Sequence, residues 1–355
     1  MTVRLYNIHL LLSLVVGTSL ATPAFDQLEK EQPIEVWYGA VQRFGHLGEP
    51  QRWINVLGNV ADSDQMESVT FAVNGSNDRP LTLGSDLHRL ALAGDFNVEL
   101  SWEELKVGEN ILEITASRKD GASFRRQVTL NVERGNQWSL PYHVDFTKVK
   151  NLQDVVQIVD GHWTLEKDGV RTKQRYYDRV LTMGDTSWSN YESAVLLTIN
   201  DFTKAEPGPP TYNVTHFGVA MRWRGHHEDG RQPSRKWFPL GAQGEFLLKD
   251  NLDSCRWRIL FNGTKDKPHR YTNHRNALQL GKPIRIKTQV FTRADGRSCY
   301  RFKQWADGTP EPAKWDIEGF EEEDYPSGAL CLVPHNSDVT IHEVRVEPID
   351  AAALD

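Results

Sequence analysis

The sequence predicts an all-β protein made of two successive β-sandwiches. Three observations point there. From Ile34 onward, apolar and polar residues alternate in short runs such as Trp53–Gly58 and Phe96–Leu100. Turn pairs such as Asn74-Gly75 and Asp120-Gly121 separate these runs. No long stretch keeps a helical period, and only the short piece Val149–Val155 fits a helix. At 355 residues, with 39% hydrophobic and 25% charged residues, the chain suits two globular domains and excludes a disordered or fibrous class.

The N-terminus reads as a targeting segment. Arg4 supplies a positive charge, and Ile8 to Val16 form an apolar core too short to span a bilayer. Ser19-Leu20-Ala21 places small residues at the cleavage positions, so residues 1–21 are expected to be a signal peptide. The mature protein would then be secreted, periplasmic or at the cell surface. The residue directly after the cleavage point is Thr22 and not a cysteine, which argues against a lipoprotein, and no later run reaches transmembrane length. Residues 22–33, with Pro23 and Pro33, read as a linker.

Residues 34–134 carry further strands at Ser68–Val73, Ile111–Ala116 and Val128–Val132. Strands at this spacing suit a sandwich of about 100 residues. The segment 108–132 (GENILEITASRKDG, then VTLNV) runs from loop to strand to Asp-Gly turn to last strand. It resembles the ending of bacterial immunoglobulin-like or fibronectin-like modules of secreted proteins, which act as spacers or contact surfaces.

Residues 137–350 continue as strands at Leu140–Phe146, Tyr191–Ile199, Phe217–Arg224, Arg256–Phe261, Pro283–Thr292, Ser298–Trp305 and Val339–Val346. Three segments carry a second resemblance: 160–192 (DGHWTLEKDGV to NYE), 300–319 (YRFKQWADGTPEPAKWDIEG) and 327–349 (SGALCLVPHNSDVTIHEVRVEPI). They resemble the concanavalin A-like lectin/glucanase sandwich of the laminin G-like type. The resemblance implies a jelly-roll sandwich whose last strand pairs with its first. It also implies that saccharide is bound on the concave sheet face.

Glucanases of that fold use Glu-x-Asp-x-Glu on one strand, since two carboxylates must flank the scissile bond on one face. This chain lacks the motif. Glu321-Glu322-Glu323-Asp324 does not alternate and reads as a solvated loop. A nucleophile elbow, a His-Glu-x-x-His helix and a phosphate loop are absent too. Cys255, Cys299 and Cys331 have no Cys-x-x-Cys spacing, so no zinc site is expected; they fit buried small hydrophobes, or a pair such as Cys255–Cys299. No cofactor is expected. A structural calcium, to which Asp250 and Asp253 could contribute, is suggested only by the resemblance.

Charge is the remaining signal. The formal net charge is −7, yet residues 213–305 hold 19 Lys/Arg against 7 Asp/Glu. Period-two reading places Arg222 and Arg224, Arg256 and Arg258, Arg285 and Lys287, and Arg301 and Lys303 each opposite an apolar face. If these four strands share a sheet, they form one cationic surface, with Trp237 and Trp305 available to stack on sugar rings. An anionic polysaccharide is the expected ligand. A merely solvated sheet face is the alternative. Nucleic acid is not expected for an acidic, exported chain. A polysaccharide lyase or glycoside hydrolase using the same groove is the enzymatic alternative, with His226, His227 and Tyr300 as candidate acid–base groups. His335-Asn336 occupies another strand-end loop. A structural or adhesion role is the third class. Trp163 and Trp188 are expected in the core.

Overall fold

Asn74 and Gly75 both adopt left-handed backbone (φ 52° and 74°), as a tight hairpin turn requires. Turns of this kind join short strands throughout. The structure, a computed structural model, describes residues 32–204, 214–235, 241–261, 269–322 and 324–354. Residues 1–21, expected to be a signal peptide, most of residues 22–33, expected to be a linker, and Trp237 lie outside the described residues.

Eight strands come first: β1 (Ile34–Val36), β2 (Val41–Phe44), β3 (Trp53–Val60), β4 (Met66–Val73), β5 (Arg79–Pro80), β6 (Asp95–Ser101), β7 (Gly108–Arg118) and β8 (Ser123–Val132). They form a three-stranded sheet, β1-β3-β6, and a five-stranded sheet, β2-β8-β7-β4-β5. Val56, Phe71, Phe96, Leu112 and Leu130 belong to the core they share.

Fifteen strands follow: β9 (Tyr142–Asp145), β10 (Gln157–Asp160), β11 (Trp163–Glu166), β12 (Gly169–Thr172), β13 (Val180–Met183), β14 (Tyr191–Phe202), β15 (His216–Trp223), β16 (Ala242–Leu247), β17 (Arg256–Phe261), β18 (Arg270–Tyr271), β19 (Pro283–Thr292), β20 (Ser298–Ala306), β21 (Ile317–Glu321), β22 (Ala329–His335) and β23 (Ser337–Pro348). Seven make one sheet, β10-β13-β22-β15-β16-β17-β18. Eight make the other, with β11-β12-β23-β14-β19-β20-β21 as its main path and β9 paired to β23. Opening strand β9 and closing strand β23 are therefore neighbours, in register Val144↔Val344.

Phe217, Val219 and Met221 from one sheet meet Val195, Ile286, Tyr300 and Phe302 from the other in a large core. Trp163 and Trp188 lie in it, as expected. Burying such side chains stabilises by roughly 1.5–3 kcal/mol each. The expected helix over Val149–Val155 is only a single 3₁₀ turn at Leu152–Asp154. All three cysteines are free and buried.

The first sandwich docks at the β10 end of the seven-stranded sheet. Asn97 donates to the Val159 carbonyl at 2.8 Å. Arg89 bridges Glu99 of β6 (2.7 Å) and Asp160 of β10 (2.8 Å), all three side chains being buried.

Candidate functional site

The four cation-bearing strands do not share a sheet: β15 and β17 are in the seven-stranded one, β19 and β20 in the eight-stranded one. The expected single cationic surface is therefore two surfaces. On β19 and β20 alternation holds. Arg285 pairs with Trp305, Lys287 with Lys303 and Gln289 with Arg301 across the strands, all on the outward face. These cations are already neutralised. Arg285 bonds Asp307 at 2.6 Å, Lys287 bonds Glu192 at 2.9 Å, Arg301 bonds Glu318 at 2.5 Å, and Lys303 bonds Glu311 at 2.7 Å. Lys303 also lies 4.6 Å from the Trp315 ring centre.

Arg222 corrects the period-two reading more sharply. The β15–β22 register slips between Ala220 and Trp223, and Arg222 takes φ 58° at that bulge. A one-residue slip exchanges faces. Trp223, expected inward, packs outward on Val180, Ala220 and Cys331. Arg222, expected outward, is 0% exposed. Its guanidinium donates to Ser298 Oγ (2.6 Å), Thr292 Oγ1 (2.9 Å) and Asp324 Oδ2 (3.1 Å). Arg222 is thus an internal strut and cannot meet a ligand.

Two acid–base candidates are likewise interior. Tyr300 is fully buried and donates to Asp324 Oδ2 at 2.5 Å. Burial, with Asp324 beside it, raises the phenol well above its ordinary range. Asp324, read as part of a solvated acidic loop, is instead the carboxylate that holds both Tyr300 and Arg222. His226 is buried edge-on against Trp223. Burial, then the Arg89 charge, hold it neutral. His227 and Arg224 line a cleft at the seam between the sandwiches. Asp250 and Asp253 are exposed.

The unexpected concentration of chemistry is on the outward face of the seven-stranded sheet. Two adjacent rows cross it. His335 (β22) stands opposite His216 (β15). One pair further along, Gly218 (β15), Glu245 (β16), Arg258 (β17) and Tyr271 (β18) stand in line. A Cβ on Gly218 would lie 3.0 Å from Gln243 Nε2 and 3.3 Å from His216 Cδ2, so the missing side chain makes the room these two fill. Gln243 Nε2 donates to Glu245 Oε1 (3.2 Å) and lies 3.3 Å from His216 Nε2. Glu245 forms a buried ion pair with Arg258. At the open end, Tyr271 is 46% exposed, with the Arg256 guanidinium 5.1 Å from its ring centre.

Satisfaction is incomplete at the His end. The His335 and His216 rings stack at 4.7 Å and 12°. His335 Nδ1 donates to Asp178 Oδ1 at 2.7 Å, which leaves Nε2 with its lone pair. Among the described residues, His335 Nε2, His216 Nδ1 and Gln243 Oε1 are buried with no hydrogen-bond partner. Each such group calls for a partner, an ordered water or a ligand group. Burial, then the neighbouring His335, push His216 well below the ordinary histidine range, so it is neutral. Burial raises Glu245 against the pull of Arg258.

Asp178, His216 and His335 bring potential ligand atoms within 4.8 Å of one another. Their arrangement does not suit a metal. Parallel stacked imidazoles aim their lone pairs side by side instead of at one point, and Asp178 already occupies His335 Nδ1. The set suits hydrogen bonding to a hydroxylated ligand, or proton transfer at His335 Nε2.

No protein-family model and no curated protein matches the chain. Several solved structures are similar to it. The VIP36 exoplasmic/lumenal domain in its Ca2+/Man3GlcNAc-bound form overlaps 57% of this chain and 86% of its own, at 9% identity and TM-score 0.35. A Bacillus subtilis protein of unknown function with a galectin-like fold overlaps 58% and 94%, at 10% and 0.30. A structure of carbohydrate-binding modules from the β-sandwich superfamily overlaps 85% of this chain and 93% of its own, at 11% identity and TM-score 0.17.

Of the residues now in view, sequence reasoning had weighed only His335, Arg256 and Arg258. His216-x-Gly218 and Gln243-x-Glu245 were legible as polar positions alternating inside apolar strands. Nothing local marked Asp178 or Tyr271.

Proposed function

We propose that the protein is an exported carbohydrate-binding protein and that its ligand lies along the outward face of the seven-stranded sheet. One observation carries this reading. A strip of hydrogen-bonding side chains, His335, His216, Gln243, Glu245 and Arg258, crosses four strands and ends on the exposed ring of Tyr271 on a fifth. Four interstrand steps of about 4.8 Å make the strip about 19 Å long. Planar polar groups address sugar hydroxyls, and an aromatic ring takes a sugar's apolar face.

An anionic polysaccharide is the ligand we favour. Its support is the Tyr271 end, where Arg256 and Arg270 have no carboxylate pair among the described residues. The residues of the eight-stranded sheet lend no such support, because their charges are spent on one another. In this reading residues 34–134 are an immunoglobulin-like spacer. Affinity electrophoresis in gels cast with polygalacturonate, alginate or a neutral glucan tests it. Retardation by an acidic polymer that Tyr271→Ala abolishes is expected. Equal mobility in every gel defeats it.

A second reading, catalysis on the same strip, rests on the Asp178–His335 pair. Asp178 orients the ring and leaves Nε2 able to accept a proton, as a lyase or hydrolase base must. Release of reducing ends from a retained polymer, lost in His335→Ala, is the expected signature. No release by the native protein rules that reading out.

A further inference from the structure

A second site lies at the seam of the two sandwiches, where the chain leaves β15, and its lining shares no residue with the strip. The seam holds a cleft of about 340 Å³, within the range of small-ligand sites. Its first wall belongs to the N-terminal sandwich. There Arg134 bonds Glu49 at 2.6 Å and lies over the Trp102 ring at 5.3 Å, so that pair is internally satisfied. Its second wall follows β15.

Two arginines, one from each side of the seam, line the cleft. Arg52 N donates to the Arg224 carbonyl at 3.2 Å, which fixes their backbones side by side. Gly225 (φ 105°) permits this approach, since a Cβ there would lie 2.9 Å from Arg52 Cγ. Arg224 lies over the Tyr325 ring at 5.9 Å. Neither Arg52 nor Arg224 forms an ion pair within 4.0 Å among the described residues. Gln51, 1% exposed, also lines the cleft, and its Oε1 is buried without a partner. Glu103 on the rim is held ionised first by hydrogen bonds to backbone and to Ser101 and then by the Arg134 and Arg52 charges, so the cleft is cationic by one charge before His227 is counted.

We infer that this cleft binds a small sugar acid, a uronate or the acidic end of a glycan. The carboxylate sits between Arg52 and Arg224, and a hydroxyl donates to Gln51 Oε1. Two guanidinium forks suit one carboxylate, and the Tyr325 face suits a pyranose ring. No covalent step is involved.

Isothermal titration of the full chain with D-glucuronate, D-glucose and inorganic sulfate tests the assignment. Glucuronate should bind measurably, and glucose and sulfate at least about tenfold more weakly. Arg52→Gln and Arg224→Gln should each weaken glucuronate about tenfold, while Arg125→Gln, at a residue that does not line the cleft, leaves it unchanged. Both cleft arginines are surface residues, and an unaltered melting temperature shows that the variants fold. Equal binding of glucose or sulfate, or unchanged affinity in Arg52→Gln, overturns the inference. Loss in Tyr271→Ala with no loss in Arg224→Gln places uronate on the strip instead and also overturns it. Polymer retention that survives Arg224→Gln leaves the strip reading standing whatever the cleft does.

Discussion

The two outward faces of the large sandwich carry similar residues and differ in what those residues lack. The eight-stranded face is a mosaic of closed pairs: Arg285–Asp307, Lys287–Glu192, Arg301–Glu318, Lys303–Glu311. The seven-stranded face closes the ion pair Arg258–Glu245 and the contact Asp178–His335 and leaves His335, His216 and Gln243 each with an orphaned atom, where the eight-stranded face leaves Gln289 Oε1. Counting cations therefore locates both faces, while the clustering of orphaned atoms separates them: three neighbours on one face, Gln289 Oε1 on the other. A solvated ion pair holds a surface together; an orphaned buried acceptor awaits a partner.

The largest expected contrast is in stability. Glu245 is buried and its partner Arg258 is nearly so, at 3% and 14% side-chain exposure. Glu245→Ala strands Arg258 without its counter-charge and should cost about 3–5 kcal/mol in urea unfolding. Glu245→Gln should recover part of that loss by keeping the hydrogen bond from Gln243. A cost below about 1 kcal/mol for Glu245→Ala would mean the two faces are alike.

The pH response should come next in size. His216 and His226 have depressed folded pKa values, so the stability they contribute is present above pH 6.5 and lost as pH falls. Each adds a slope of up to about 1.4 kcal/mol per pH unit. Asp160 has the opposite sign. Burial raises it to about 6, so its contribution is present below pH 3.8 and lost as pH rises through 6. The melting temperature should therefore drop on going from pH 7 to 6 and keep dropping below pH 6, where the two histidines outweigh the opposing Asp160. His216→Gln should flatten the first limb. An unchanged slope would mean that His216 does not titrate between the folded and unfolded states.

How much of this was legible follows from where each device is encoded. Alternation placed Arg285, Lys287, Arg301 and Lys303 on one face correctly, because period two is a property of each strand alone. It failed at Arg222 and Trp223, because the bulge that exchanges them is set by pairing with β22. Sheet membership failed for the same reason: which strands are neighbours depends on partners as far apart as Val144 and Val344. The carboxylates that quench the β19–β20 cations come from β14, β21 and the turns between, so charge by segment could not show that they cancel. The orphaned atoms of His335 and His216 were out of reach in principle, since an absent partner is visible only when every neighbour is placed.

Binding should separate the faces by a smaller margin. Tyr271→Ala removes the exposed ring at the end of the strip and should weaken an acidic oligosaccharide about tenfold, measured by titration calorimetry. Lys287→Ala, on the other sheet, should change it less than twofold. A larger effect from Lys287 would move the ligand to the eight-stranded face and would revive the expected cationic surface there.

The smallest effect tests the closed pairs themselves. Arg301 and Glu318 are 19% and 36% exposed on their side chains, and Arg301 also lies over the Phe291 ring at 4.9 Å. Water screens the pair, and ordering two long side chains offsets much of its attraction, so Glu318→Ala should cost only about 0.2–1 kcal/mol. Arg301→Ala should cost more than Glu318→Ala, because it also removes the contact with Phe291. Raising salt from 0.05 to 0.5 M should shrink the Glu318 effect and leave the excess in Arg301→Ala, since dispersion is not screened. If both costs fall together with salt, the eight-stranded face is held by charge alone, and its stacked rings are incidental.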